Sequence, residues 1–277
     1  MDRQDDMLSD ALLERGFLVE KIGTRIYLSD NAVLRPVQNR DFPGEVPSDK
    51  AFLESLLRSI DCGALEVSDR PGLPFRLTAP ERKLVPEQRE ILFRYREIGG
   101  EAGCIPVKNA WNRFRTYPLG VKVPLAVLES HVAILTKALS AVGCNTFSAC
   151  EGHAGRNGLQ IDFKGTPQGA WAAYLLDDAV RAGLDLPDLR AGQRCLSALP
   201  ACSGGAPAPG QEWDPRHVMR VQAQAVALGV HLYRERQRLR NERLQWIDAM
   251  HLKAPFAFPY KRLRRQALEE RQRRAAG

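Results

Sequence analysis

The chain has 277 residues, 44% apolar and 26% charged, which is enough to bury a sizeable core and excludes wholesale disorder. No apolar run reaches the roughly 18 residues of a membrane span, and Met1-Asp2-Arg3-Gln4-Asp5-Asp6 is acidic where a secretion signal is basic and then apolar, so no membrane partner and a cytoplasmic setting are expected. The net charge of +7 is lopsided: from Arg216 onward 15 Lys and Arg face 5 Asp and Glu, a net of +10, which leaves −3 for the first 215 residues.

In chain order, Ser9 is placed to cap a helix through Arg15, ended by Gly16, and Phe17 to Leu28 reads as two strands around Gly23-Thr24. Ser48 opens a second helix with Phe52, Leu53, Leu56, Leu57 and Ile60 at helical spacing and Gly63 closing it. Leu65 to Val67 and Phe75 to Leu77 then flank a turn at Pro71-Gly72. A helix followed by a hairpin, twice over, fits a winged-helix arrangement or a small α+β layer. Pro86 opens a helix to Ile98. The irregular stretch Gly103 to Gly120 carries Trp111, Arg113, Phe114, Arg115 and Tyr117, suited either to stacking on bases or to pinning a loop to the core.

Pro124 starts a helix whose Leu128, Val132, Leu135, Leu139 and Val142 repeat at three and four residues, with Gly143 ending it. Asn145 to Cys150 reads as a strand, Glu151 to Asn157 as a polar loop, and Gly158 to Lys164 as a strand with Leu159, Ile161 and Phe163 on its apolar face. Thr166-Pro167 begins the next helix. Residues 201–213 read as a linker. Asp214-Pro215 opens one long helix to about His251, with a second half too basic to pack. The expected fold is α+β (mixed α/β): a hairpin-containing α+β region over 1–120, a helix-strand-loop-strand-helix core module over 121–200, and a long Arg-rich helix with a basic tail over 214–277.

On that helix Arg234 and Arg238 stack one turn apart, as do Arg236 and Arg240, with Arg243 extending the second row. Lys261, Arg262, Arg264 and Arg265 follow. Guanidinium forks in a ladder suit the repeating phosphates of DNA or RNA, and an acidic protein surface in a larger complex is the alternative partner.

The second constellation is Ser148-Ala149-Cys150-Glu151-Gly152-His153. Strand alternation puts Cys144, Thr146, Ser148 and Cys150 on one face and turns Phe147 and Ala149 to the core, while Gly152 permits a turn bringing Glu151 and His153 over the strand end. Three chemistries fit. Cys150 and His153 are a thiolate and an imidazole able to ligate a divalent metal such as zinc, with Cys195, Cys202 or His131 completing the site. Cys150 is also placed as a nucleophile activated by His153 and oriented through Glu151. Ile161-Asp162-Phe163-Lys164 matches the apolar-Asp-x-Lys pattern of metal-dependent nucleases, in which Asp162 and Glu151 would hold a magnesium ion and Lys164 would assist the attacking water. The six cysteines show no paired spacing and read as free thiols.

The run from Ser148 to His153, following a helix and a Gly, resembles the Ser-x-Cys-x-Gly signature of the wybutosine-synthesis methyltransferase family. It resembles more closely a group of bacterial and phage proteins carrying Ser-Cys-x-Gly-His after a helix. The resemblance covers about residues 124–180. It implies a small α/β module acting near RNA, within a phage-related or mobile-element system. The function expected is nucleic-acid association through the Arg-rich region with a chemical site at Cys150 and His153. A non-catalytic, protein-docking subunit and a metal-dependent nuclease are the alternatives.

Overall fold

Gly23, at φ +62°, turns the chain between strands β2 (Val19–Ile22) and β3 (Arg25–Leu28), the hairpin expected at that position. The computed structural model describes residues 6–28, 37–38, 45–63, 66–68, 76–94, 124–163, 166–200 and 213–253. The chain divides into two units. Unit 1 comprises Met1–Ile105 and Lys122–Ile134, and unit 2 comprises Pro106–Val121 and Leu135–Gly277. The C-terminal helical region, expected as a separate segment, therefore belongs with the central module. Of the expected linker only Trp213 is among the described residues, and the aromatic loop between Gly103 and Gly120 lies outside them. Among the described residues no helix is long and apolar enough to cross a membrane.

In unit 1, β1 (Asp6–Met7) pairs with β8 (Lys83–Leu84), and helix α1 (Leu8–Glu14) follows. Its N-cap is Met7; Ser9, expected as the cap, lies inside the helix and gives its N–H to Glu81 Oε1 at 3.1 Å. Leu8 starts the helix earlier because its apolar side chain is fully buried and its N–H is taken by the Arg82 carbonyl. Ser48 caps α2 (Asp49–Ser59), its Oγ accepting from the Ala51 N–H, and Phe52, Leu53, Leu56 and Leu57 fill the core. Strands β6 (Glu66–Ser68) and β7 (Arg76–Pro80) form the second hairpin. Pairing of β3 with β7 merges the two hairpins into one antiparallel sheet of order β2-β3-β7-β6, the α+β layer of the two expected arrangements. The two-residue strands β4 (Val37–Gln38) and β5 (Glu45–Val46) pair with each other, and α3 spans Pro86–Arg94.

The helix expected from Pro124 begins only at Ser130. Leu125–Val127 forms a 3-10 turn instead, and Leu128 is extended at φ −99°, ψ 136°. The buried Asp49 carboxylate explains the turn's position, because its Oδ1 accepts the Leu125 N–H at 2.8 Å. Helix α4 (Ser130–Ala141) then runs to Gly143, whose φ of +88° ends it as expected.

Unit 2 is built on a second antiparallel sheet, of order β11-β12-β10-β9, made of β9 (Thr146–Cys150), β10 (Gln160–Phe163), β11 (Leu189–Ala191) and β12 (Cys195–Ala198). Helix α5 (Thr166–Arg181) joins β10 to β11 and packs on β10, β11 and β12. It comes close to the β11–β12 turn because position 169 is glycine: a Cβ there would lie 2.2 Å from the carbonyl oxygens of Gly192 and Gln193. Trp171, fully buried, donates its indole N–H to the Val142 carbonyl at 2.7 Å. Leu159, Ile161, Phe163, Leu175 and Leu196 complete this core, each burial stabilising by about 1.5–3 kcal/mol.

The expected single C-terminal helix is two helices, α6 (Pro215–Arg234) and α7 (Arg236–Lys253), broken at Glu235. Asp214 caps α6, accepting from the Arg216 and His217 N–H groups. Val218, Val221, Ala225, Leu228 and Leu232 form its buried stripe, and it packs on α5 and β11. The Arg-rich second half, expected not to pack, does so through Leu239 and Arg243, both at most 1% exposed.

Candidate functional site: a polar sheet face

Cross-strand register in unit 2 sorts side chains into two sets. Ala191, Leu196, Ile161 and Ala149 stand opposite one another on the buried face. On the other face one row reads Arg190, Ser197, Gln160 and Cys150, and the next reads Cys195, Asp162 and Ser148, all exposed or half-buried. Along β9 the expected alternation fails at one place. Asp162 pairs with Ser148 but Phe163 pairs with Thr146, so Phe147 is an extra residue in a β-bulge. Thr146 therefore turns inward, 6% exposed opposite Phe163, while Phe147 leaves the core and is 37% exposed beside Ser148. This corrects the assignment of Phe147 to the core and of Thr146 to the polar face. Cys144, expected on that face, precedes the strand and is buried. Its Sγ lies 3.9 Å from the Gln168 carbonyl, and burial pushes its thiol up to about 12.

The polar groups of this face hold one another. Asp162 accepts from Ser148 Oγ at 2.5 Å through Oδ2 and from Gln160 Nε2 at 2.8 Å through Oδ1. At the strand end, Asn157 Nδ2 donates to Cys150 Sγ at 3.2 Å. The Sγ of Cys150 and a ring nitrogen of His153 lie within 4.8 Å of each other.

The loop that sets this pairing is tightly held. Gly152 adopts φ +86°, and a Cβ on it would come within 2.7 Å of the Leu159 backbone nitrogen, so only glycine fits. His153 and Asn157 exchange backbone hydrogen bonds of 2.8 and 3.2 Å across the turn. The Gly155 N–H donates to the Trp213 carbonyl, and the Trp213 ring occupies the space a side chain at Gly158 would need. From α6, Gln222 Nε2 reaches the carbonyls of Glu151 and Gly152 at 3.4 and 3.3 Å.

Of the residues expected to carry chemistry, the fold brings Cys150 and His153 together at one strand end and sets Asp162 two residues along the neighbouring strand. Glu151, only 8% exposed, follows Cys150 just beyond the end of β9. Lys164 lies outside the described residues, as does Cys202. Cys150 and His153 suit a soft divalent ion such as zinc better than magnesium, which prefers oxygen. Cys195 shares the face of Cys150 but stands on β12, two strands across and two residues along, and thus roughly 12 Å away. His131 lies in unit 1 with its ring 5.4 Å from that of Phe93. The described cysteines Cys62, Cys144, Cys150 and Cys195 are free thiols.

The arginine ladder is largely occupied within the protein. Arg238 forms a forked pair with Asp178 of α5, at 2.7 and 3.3 Å, and also binds Glu235 and Glu242. Burial raises the Asp178 pKa, but the hydrogen bonds and charges of Arg238 and then His231 outweigh it and hold the carboxyl below its usual range. Arg236 folds back over the Tyr233 ring at 4.1 Å and donates to the Tyr233 carbonyl. Arg243, expected in the outward row, points inward against Trp171. Arg234 is exposed and Arg240 half-buried. Lys261, Arg262, Arg264 and Arg265 lie outside the described residues.

The residues missed from the sequence are Asn157, which donates to the Cys150 sulfur, and Gln160, which orients Asp162. An alternating strand with Gln and Asp on its polar side was the available signal for Gln160, whereas Asn157 becomes a partner of Cys150 only through the turn at Gly152. Compared with family models, with curated proteins and with solved structures, the chain finds no match in any of the three.

Proposed function

We propose that this chain is a nucleic-acid-associated protein whose basic C-terminal region contacts the phosphate backbone, with the Cys150–His153 pair on the unit 2 sheet as its chemical site. The observation that carries the reading is the charge distribution: a net of +10 from Arg216 to the end against −3 before it. The phosphate contacts are assigned to the basic region that carries this charge, with the cluster Lys261, Arg262, Arg264 and Arg265 at its centre and the exposed Arg234 beside it in sequence on the same ladder. The likeness of Ser148 to His153 to proteins acting near RNA agrees in direction.

Titrating binding of DNA and RNA against salt tests this. Neutralising Lys261, Arg262, Arg264 and Arg265 together should flatten the log–log slope by about 0.7–0.9 per lost phosphate contact. A wild-type protein that ignores both polymers at low ionic strength sinks the reading and leaves docking to a protein partner.

The proximity of thiol and imidazole favours a second reading for the site itself, in which Cys150 and His153 ligate zinc or act as nucleophile and base. Metal analysis of wild-type protein beside Cys150→Ala and His153→Ala separates these two. Absence of phosphodiester cleavage by the wild-type protein with magnesium present would dispose of the nuclease alternative, and undiminished cleavage by Asp162→Ala would remove Asp162 from it.

A further inference from the structure

Helix α6 is apolar on two opposite sides. Its inner stripe, Val218, Val221, Ala225, Leu228 and Leu232, is buried where the helix packs on α5 and β11. Over the same turns its outer side carries Met219, Ala223, Val226, Ala227 and Val230, which at 3.6 residues per turn fall within an arc of about 100°. Met219 is 68% exposed, Ala223 and Ala227 are exposed, and Val226 and Val230 are half-buried. A surface helix normally turns a charged or polar face outward, and one that is apolar all round is covered on both sides.

The charges at the ends of this outer face narrow what covers it. α6 contains Arg216, Arg220 and Arg234 and no carboxylate. Arg220 turns aside to Asp188, its Nε 2.7 Å from Oδ2. Arg216 and Arg234, both exposed, are about five full turns apart and so stand in line with the apolar face, one at each end, about 27 Å from each other. A second copy of this chain is therefore a poor occupant. Laid parallel, Arg216 meets Arg216 and Arg234 meets Arg234; laid antiparallel, Arg216 meets Arg234. Nucleic acid offers phosphates to the arginines but only polar backbone to the residues between them. An anionic bilayer gains little from Ala and Val, whose short side chains do not reach past the headgroups. A protein helix with an apolar stripe at the same spacing and Asp or Glu near both ends matches the whole face, and the small side chains of Ala223 and Ala227 let its axis come within about 8 Å.

We infer that the outer face of α6 docks an amphipathic helix of an acidic partner protein, with Met219, Val226 and Val230 in the apolar contact and Arg216 and Arg234 at the partner's carboxylates. This is independent of the nucleic-acid reading above, because none of the apolar residues of the face enters it. The two share only Arg234, and the variants that test docking leave Arg234 in place.

The probes are two synthetic helical peptides of about 20 residues, alike in their apolar stripe and ending in either Glu or Lys at both ends, titrated with the full chain by fluorescence anisotropy. The Glu-ended peptide should bind at least about tenfold more tightly than the Lys-ended one. Ala223→Gln with Ala227→Gln, two exposed positions that leave the inner stripe intact, should weaken it by about tenfold or more without changing the circular-dichroism spectrum. Arg216→Glu should weaken the Glu-ended peptide by about threefold or more and tighten the Lys-ended one. No binding of the Glu-ended peptide, or equal binding of both, overturns the proposal. So does a dimer of the chain alone, seen by sedimentation velocity and lost in the Gln variant, or attachment to phosphatidylglycerol vesicles lost in that variant. Loss of DNA or RNA binding in the Gln variant would give the face to nucleic acid, overturning docking and sparing the backbone reading. A chain that binds the Glu-ended peptide but neither polymer leaves docking in place and sinks only the nucleic-acid reading.

Discussion

The guanidinium of Arg243 lies 5.2 Å from the centre of the Trp171 ring and is almost wholly withdrawn from solvent. Gln168 Oε1 accepts from Arg243 Nη2 at 3.4 Å, and Trp246 meets Trp171 edge-on at 4.9 Å. Burial pulls the Arg243 pKa down to about 10, so the group is still protonated near neutrality. A cation over an indole face is worth most where water is absent. Arg243 thus anchors α7 to α5 instead of reaching outward. Arg243→Ala should destabilise unit 2 by about 2–4 kcal/mol in urea unfolding, through lost packing and a lost cation–π contact. It should leave the salt slope of nucleic-acid binding unchanged; a flattened slope with intact stability would return Arg243 to the phosphate-binding set.

Asp178 and Arg238 make a second link between the same helices, with a pH signature. The folded Asp178 carboxyl titrates below its ordinary range. Its contribution is therefore fully present above the unfolded value of about 3.9 and is lost as pH falls through the lower folded value. Arg238 is 42% exposed, so solvent screening keeps the link near 1 kcal/mol. Asp178→Asn should lower the urea midpoint at pH 7 and shrink the loss of stability seen in wild type below about pH 4. Identical acid limbs for the two proteins would remove the linkage.

The loop carrying His153 depends on one glycine. Gly152→Ala places a Cβ 2.7 Å from a backbone nitrogen at a positive φ, and should cost about 2–4 kcal/mol. Gly23→Ala, also at positive φ but with open space around the new Cβ, should cost about 1 kcal/mol. Equal costs at the two positions would show that the close approach to Leu159 is unimportant.

Thiol reactivity should divide the four described cysteines. Cys150 and Cys195 are half-exposed on the polar face. Cys62 and Cys144 are buried, and burial raises both their pKa values, Cys144 to about 12. Brief iodoacetamide treatment near pH 7.5, read by mass spectrometry, should label Cys150 and Cys195 and spare the other two until urea is added. His153→Ala should slow labelling of Cys150 without affecting Cys195; equal slowing at both would point to a general change of fold and not to the thiol–imidazole pair.

Local chemistry made much of this protein legible. Gly16, Gly23 and Gly143 end helices or turn hairpins because their φ values are positive, and Ser48 and Asp214 cap helices because a short side-chain oxygen reaches the first free N–H groups. Alternation placed Leu159, Ile161 and Phe163 in a core, and the turn at Gly152 placed His153 by Cys150. What periodicity does not carry is the partner across the strand or helix. A bulge depends on pairing between β9 and β10, so nothing within β9 announced that Phe147 would leave the core. Asp49 diverted the start of α4 from 76 residues away. Arginine is charged and long at once: its head suits phosphate, its stem suits packing. Only the neighbouring Trp171 and Asp178, brought up by α5, decided that Arg243 and Arg238 face inward to the protein, leaving the net positive charge legible in sequence but not the residues free to use it.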